Sequence, residues 1–332
     1  MIKKCLGCGV KLQDKDDTSC GYVSSMDKDL CTRCFKIKHY NEYKRVSFNN
    51  SDYLKIINGI NGSNDLVVLV VSLFGMGDLL KLRGLIKRKN VLLLLSKKDI
   101  FPKSIKDSKL ISYVKKLNLD LLDVIVISSV KDYNIDKVYS AIMNYKNSDK
   151  VYIVGITNSG KSTLINKLIA RYSLSCEEVT CSMYPNTTLD NIYIKLNDEL
   201  TLVDTPGLFN EKSIVNYLNV EELKRVSLKN RIKPRIYQLS RPESFIINDM
   251  VRVDYLSNTR SSLIFYLSNE AKIVRCGVNN PKLKDKKMYS FKMIANKDIV
   301  IDDFFFVCAP EKCDLLVYVN YEVDVYERDR LI

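Results

Sequence analysis

Histidine is almost missing from this 332-residue chain. The single copy, His39, rules out a catalytic dyad built on a second histidine and any histidine-rich metal site. His39 itself reads as a surface residue. Long hydrophobic runs are missing too. The longest, Leu66 to Gly77 with Ser72 inside it, falls well short of the roughly 18 to 20 apolar residues a helix needs to cross a bilayer, so no membrane span is expected. The first residues contain neither a hydrophobic signal core nor an Arg/Ser-rich presequence, and the expected compartment is the cytoplasm. There is also no internal repeat and no low-complexity linker.

What is present is apolar enough, at 46% hydrophobic residues, to bury at least one sizeable core, and long enough for two or three domains. A formal charge of +13 favours a polyanionic partner. RNA is the candidate, through clusters at Lys81 to Lys89, Lys224 to Arg235 and Lys282 to Lys287, and DNA is not expected. Because the chain is also rich in Ile and Asn, part of this lysine content is equally well read as compositional bias. Of ten cysteines, two close pairs near one end suggest metal ligation in a reducing compartment, and the other six read as buried thiols.

Residues 1–45 are rich in Cys, Lys and Tyr and have no sustained apolar period, as in a domain too small to hold itself together by burial. From 46 to 212 the pattern changes to short apolar runs at Leu66 to Val71, Val91 to Leu95, Val124 to Ile127, Val151 to Val154 and Leu200 to Val203. Between them lies helical spacing, such as Leu164, Ile165, Leu168 and Ile169, which predicts an α/β, doubly wound sheet of parallel strands. Residues 213–332 read as an α+β or β-rich domain. There Val317, Val319, Tyr321, Val323 and Val325 alternate with polar positions as one strand would. Four of the apolar runs end in small or polar clusters, and ligands bind beyond the carboxyl ends of such strands.

The strongest of these clusters is Gly155-Ile156-Thr157-Asn158-Ser159-Gly160-Lys161-Ser162, an eight-residue phosphate loop between a strand and a helix. Gly155 and Gly160 let the backbone wrap a phosphate, with Asn158, Ser159, Gly160, Lys161, Ser162 and Thr163 around it. Lys161 supplies a point charge, and Ser162 offers its hydroxyl to Mg²⁺. Asn158 either holds a monovalent cation or hydrogen-bonds the loop. Asp204-Thr205-Pro206-Gly207, 42 residues beyond Ser162, supplies a carboxylate for Mg²⁺ and, at Gly207, an N–H for the γ-phosphate. Between them, Thr187 and Thr188 offer one more hydroxyl to Mg²⁺, with Thr188 taken as the ligand and Thr187 kept as the other candidate.

Ser96-Lys97-Lys98-Asp99 resembles the Asn-Lys-x-Asp element by which GTPases read guanine. Asp99 would accept the two N–H donors of guanine, which adenine lacks, and Lys97 would lie along the base. Ser96 departs from the usual Asn, whose amide ties this loop to the phosphate loop. Ser128-Ser129-Val130-Lys131 resembles the Ser-Ala-Lys loop that contacts guanine O6. Together they predict GTP, with Mg²⁺, as the bound nucleotide.

These elements stand in reversed order: the guanine readers precede the phosphate loop, as in a G domain whose ends were joined and whose chain was reopened after the second switch. The chain leaving Gly207 then runs directly into the C-terminal domain. Cys5-x-x-Cys8, Cys31-x-x-Cys34, Lys98-Asp-Ile-Phe-Pro-Lys-Ser, the phosphate loop, Pro185-Asn-Thr-Thr-Leu-Asp and Asp204-Thr-Pro-Gly together resemble the circularly permuted GTPases of the YqeH family over nearly the whole chain. The resemblance implies a role in assembling the small ribosomal subunit and an RNA-binding C-terminal domain, hence rRNA or a ribosomal precursor as partner. It implies hydrolysis without a Ras-type glutamine, and Leu208 indeed follows Gly207. It also implies slow turnover aided by the ribosomal partner or by K⁺ bound near Asn158, with Lys161, Asn158 and Gly207 as the catalytic set.

The two cysteine pairs, Cys5 with Cys8 and Cys31 with Cys34, are separated by 22 residues and suit a closed, structural four-thiolate Zn²⁺ site whose binding is coupled to folding of residues 1–45. Cys20 is a substitute ligand. A competing reading makes the chain a zinc-finger RNA-binding scaffold that uses GTP as a conformational ligand with little hydrolysis.

Overall fold

A computed structural model describes residues 3–17, 21–32, 34–35, 50–86, 90–173, 191–207, 212–293, 295–302 and 304–332. The chain divides into two units, Met1–Lys98 with Ile111–Asn210 and Asp99–Leu110 with Glu211–Ile332.

In the first unit each apolar run becomes a strand. β1 (Leu66–Ser72), β2 (Val91–Ser96), β3 (Asp123–Val126), β4 (Lys150–Gly155), β5 (Ile192–Asn197) and β6 (Leu200–Asp204) form a six-stranded sheet in the order β3-β2-β1-β4-β6-β5. Five of these pair in parallel, and β5 runs antiparallel to β6 at the edge. The sequence reading missed β5. Its residues alternate between half-buried and exposed, as one wet edge requires, so it carries no solid apolar run.

Among the described residues the helices here are α1 (Asn50–Asn61), α2 (Asp78–Leu85), α4 (Ile135–Tyr145) and α5 (Lys161–Tyr172), and α3 (Asp107–Lys116) begins in the second unit and ends in the first. Val68, Val70, Leu92, Leu94, Ile153 and Leu202 pack on one face with Ile135, Val138 and Ile142 of α4 and the apolar stripe Leu164, Ile165, Leu168 and Ile169 of α5. The alternate residues Val67, Leu69 and Leu93 are equally buried, so the sheet is covered on both faces, as its unbroken apolar runs demand. Each such side chain contributes about 1.5–3 kcal/mol of burial. Among the described residues no helix is long and apolar enough to cross a membrane.

β4 lies between β1 and β6 in space, although the chain passes through β1, β2 and β3 first. The join that makes this possible is Lys146 to Asp149, from α4 into β4. It is fastened to its surroundings: Lys146 Nζ donates to Glu199 O at 3.0 Å, Asn147 Nδ2 to Asn64 O at 3.2 Å and Ser148 Oγ to Asp65 Oδ1 at 2.7 Å, while Asp149 O accepts from Thr201 N at 2.6 Å.

Among the described residues the second unit's strands are β7 (Arg235–Leu239), β8 (Glu243–Ile247), β9 (Val251–Tyr255), β10 (Ser261–Tyr266), β11 (Ile273–Cys276), β12 (Lys287–Met293), β13 (Lys297–Ile301), β14 (Phe305–Ala309), β15 (Cys313–Val319) and β16 (Val325–Asp329). They form two five-stranded antiparallel sheets, β16-β13-β14-β10-β7 and β11-β8-β9-β15-β12. Tyr237 and Phe265 of one sheet meet Phe245 of the other with ring centroids 4.7 and 5.2 Å away. A short helix, α6 (Val220–Val226), opens with a capping box between Asn219 and Glu222. The alternating run Val317 to Val325 is not one strand. β15 ends at Val319 and β16 begins at Val325 in the other sheet. The alternation persists because Val323, in the intervening turn, is itself buried.

Candidate nucleotide-binding site and metal centre

β4 ends at Gly155, and the chain turns over the sheet before α5 begins at Lys161. A side chain at Gly155 would place its Cβ 2.4 Å from Val70 O and 2.8 Å from Ser159 Oγ, so only glycine lets the loop fold this close. Asn158 and Gly160 take left-handed backbone angles, φ 64° and 94°. The first N–H groups of α5, at Lys161, Ser162 and Thr163, have no partner within their own helix and are free to face an anion. Ser159 Oγ is buried and, among the described residues, makes no hydrogen bond, a polar group suited to a phosphate oxygen.

Lys161 is buried, with Nζ 3.5 Å from Gly155 O. Burial lowers its pKa below that of an ordinary lysine, and the negative charge of Asp204 partly opposes the shift. Asp204, at the end of β6, is fully buried. Its carboxylate and the Ser162 hydroxyl are the hard oxygen donors that suit Mg²⁺. The loop after β6 is set against the phosphate loop. Thr205 Oγ1 donates to Ile153 O at 2.9 Å, and a Cβ on Gly207 would lie 2.9 Å from Thr157 N.

The base-reading side reaches the same place from β2 and β3. Ser96 Oγ donates to Ser159 O at 2.5 Å, so the short hydroxyl makes the tie for which the sequence reading looked to an asparagine. Lys97, at φ 63°, aims its Nζ at Asn158 Oδ1, 3.0 Å away. Asn158 Oδ1 is thus the acceptor of a bond from the neighbouring loop. Neither bond was anticipated, since nothing in the spacing of the two motifs says which atoms meet. Lys98 N donates to Ile127 O at 3.0 Å, joining the ends of β2 and β3. Beyond β3, Ser128 and Ser129 are buried, and their loop is closed by Ser128 N to Tyr133 O at 3.2 Å and by Lys131 N to Ser128 Oγ at 3.1 Å. Asp99 follows in the 3-10 turn Lys98–Ile100, the first residue of the second unit. Thr187, Thr188, Leu208, Cys20 and His39 lie outside the described residues.

The four N-terminal cysteines come together. Their sulfurs lie within 4.8 Å of one another, all buried, and Cys8 Sγ is 3.8 Å from Cys31 Sγ. A tetrahedron with Zn–S bonds of about 2.3 Å has edges of roughly 3.8 Å, so the spacing fits zinc and exceeds any disulfide. Backbone N–H groups of Gly7 and Cys31 point at Cys5 Sγ at 3.4 and 3.2 Å. The neighbouring cysteines drive Cys5 towards thiolate and Cys34 towards thiol, while hydrogen bonding from Cys34 lowers Cys31 to about 7. Four sulfurs this close share their protons unless a cation takes them all. Among the described residues, the buried apolar side chains packed with these cysteines are Leu12 and Val23, with Val10 and Leu30 partly buried beside them.

The family model for the RsgA GTPase matches residues 79–213, and that for the 50S ribosome-binding GTPase matches residues 150–301, beginning at β4. The uncharacterized protein YqeH of Bacillus subtilis (strain 168) is 39% identical over 286 residues, covering 83% of this chain and 78% of YqeH. The Arabidopsis thaliana GTP-binding protein Brassinazole Insensitive Pale Green 2, chloroplastic, is 26% identical over 70% of this chain, which spans only 40% of it. The crystal structure of YjeQ from Thermotoga maritima is 18% identical, with a TM-score of 0.29 over 46% of this chain and 52% of that one. With its phosphate loop following its guanine-reading elements, and with this extent of similarity to YqeH, the chain belongs to the YqeH family of circularly permuted P-loop GTPases.

Proposed function

We propose that the chain hydrolyses GTP to GDP and phosphate and uses the cycle as a switch in assembly of the small ribosomal subunit, contacting rRNA through residues 213–332. The observation that carries this reading is the pair of bonds from Ser96 to Ser159 and from Lys97 to Asn158. They tie Ser96 and Lys97 to the phosphate loop, which supports a shared nucleotide site. Residues 46–212 form the G domain and residues 1–45 the zinc-bound module, in a cytoplasmic protein.

In this reading Asp99 selects guanine and Lys97 covers the base, with Ser128 and Ser129 on its O6 side. Asn158 to Thr163 hold the phosphates, and Lys161 and the Gly207 N–H meet charge developing on the γ-phosphoryl oxygens. Ser162, Thr188 and Asp204 would hold Mg²⁺ and Asn158 would hold K⁺, two cations that neutralise phosphate charge. Cys5, Cys8, Cys31 and Cys34 hold Zn²⁺ structurally. Leu208 has no side chain able to orient water, so turnover by the isolated chain is slow.

The test is phosphate release by purified protein with GTP against ATP and K⁺ against Na⁺, with and without small or large ribosomal subunits. GTP selectivity that is lost in Asp99→Asn, together with stimulation by K⁺ or by small subunits, is the expected outcome. Equal use of ATP would sink the guanine assignment, and stimulation by large subunits alone would move the partner.

A further inference from the structure

The sequence presents two basic runs in the second unit as equals, Lys224 to Arg235 and Lys282 to Lys287. Their surroundings differ. In the second run Lys282 pairs with Asp249, Lys286 with Asp285 at 2.8 Å, and Lys287 sits 5.4 Å from the Tyr289 ring. The loop before and through that run is built around Arg252, fully buried, whose guanidinium binds Asp254 at 2.6 Å and the carbonyls of Val278, Asn280 and Lys282. Its order serves the fold.

The first run is different. From Leu223 to Pro242 the chain carries Lys224, Arg225, Lys229, Arg231, Lys233, Arg235 and Arg241 and no acidic residue. Lys224, Arg225, Lys229, Arg231 and Lys233 are all exposed, and among the described residues none of them has an ion-pair partner. Flexible solvated lysines would look similar, but here the backbone beneath them is held. Ile232 is 3% exposed, and its N–H donates to Ile100 O at 2.8 Å. The Asn269 amide clamps both neighbours, donating to Arg231 O at 2.9 Å and accepting from Lys233 N at 2.9 Å. The Arg235 guanidinium binds Ala271 O at 2.6 Å and Asn269 O at 2.8 Å. Ile232 is therefore buried against the fold, while its neighbours Arg231 and Lys233 stay exposed.

We propose that Lys224–Lys233 is a preformed docking strip for the phosphodiester backbone of single-stranded RNA, with Lys229, Arg231 and Lys233 as its central contacts. A row of cations without ion-pair partners, anchored in its middle by Ile232 and Asn269, fits a linear polyanion, because part of the ordering cost is already met and the cations have no internal carboxylate to leave. A single row follows a strand and does not make a plane, which favours RNA over a lipid surface. The proposal rests on the RNA-partner reading above and locates it in the second unit.

The experiment uses the full chain and a fluorescein-labelled 20-nucleotide oligouridylate, with anisotropy measured across a KCl series. Two variants each lose three positive charges: Lys229→Gln/Arg231→Gln/Lys233→Gln and, as the matched control, Lys282→Gln/Lys284→Gln/Lys286→Gln. The strip variant should bind at least about tenfold more weakly near 0.1 M salt, with the slope of log K against log salt flattened by about 2, since each single-strand phosphate contact contributes roughly 0.7. The control should retain its slope. Equal weakening in both variants, no weakening in the strip variant, no binding by the unaltered chain, or tighter binding to phosphatidylserine vesicles than to RNA would each overturn the strip. GTP hydrolysis is read in the same samples, so failure of the GTPase reading appears separately from failure of RNA docking.

Discussion

At the scale of single residues, the site depends on small groups in fixed places. Ser96 is the clearest case, because one hydroxyl links the guanine-reading strand to the phosphate loop. Ser96→Ala leaves the buried Ser159 carbonyl without its donor, a loss of about 1–2 kcal/mol or roughly 5- to 30-fold in affinity for GDP, read by isothermal titration. Unchanged affinity would remove this bond from the account. Lys161 carries the pH dependence. Burial lowers its pKa in the nucleotide-free chain, and bound phosphates, being anionic, raise it. Between the two values, binding takes up a proton. GDP affinity should therefore be flat below the nucleotide-free pKa and fall as pH rises through it, with proton uptake measured by titration in buffers of different ionisation enthalpy.

At the scale of elements, the permutation reduces to four residues. Lys146 to Asp149 carry the chain from α4 into β4, and their bonds to Asn64, Asp65, Glu199 and Thr201 involve mainly exposed groups. Such bonds contribute about 0.5–1.5 kcal/mol each at most, and lengthening a surface loop adds little closure entropy. Inserting six Gly/Ser residues between Asn147 and Ser148 should lower stability by no more than about 2 kcal/mol in urea and leave GDP binding intact. The same insertion after Thr157 should abolish binding, because Thr157 N lies against Gly207 and the loop geometry itself is the ligand cradle. Loss of binding in the first variant would show that the join is part of the site.

At the scale of the whole molecule, the parts are held by different physics. The first unit's sheet buries long apolar runs, whereas around the four N-terminal cysteines the buried apolar side chains among the described residues are Leu12 and Val23. Chelation of zinc should therefore unfold residues 3–35 alone, seen as loss of amide-exchange protection there. GDP affinity should change less than threefold. Global unfolding on chelation would show that the module stabilises the rest.

The classes of element and the chemistry are already legible in the order of residues. Buried parallel strands such as Leu66–Ser72 need unbroken apolar runs, a phosphate loop needs glycines at set places, and thiolate zinc needs paired cysteines, so each is written locally. The permutation is legible in the sequence too, being only an order of motifs. Edge strand β5 and the break between β15 and β16 were decided by tertiary structure, because half-exposed strands and buried turns copy each other's alternation. Tertiary structure alone decided that Ser96 reaches Ser159 across 63 positions, and that, among the described residues, one basic run has carboxylate partners while another has none. Such pairings depend on distances between segments remote in sequence, which no local pattern contains.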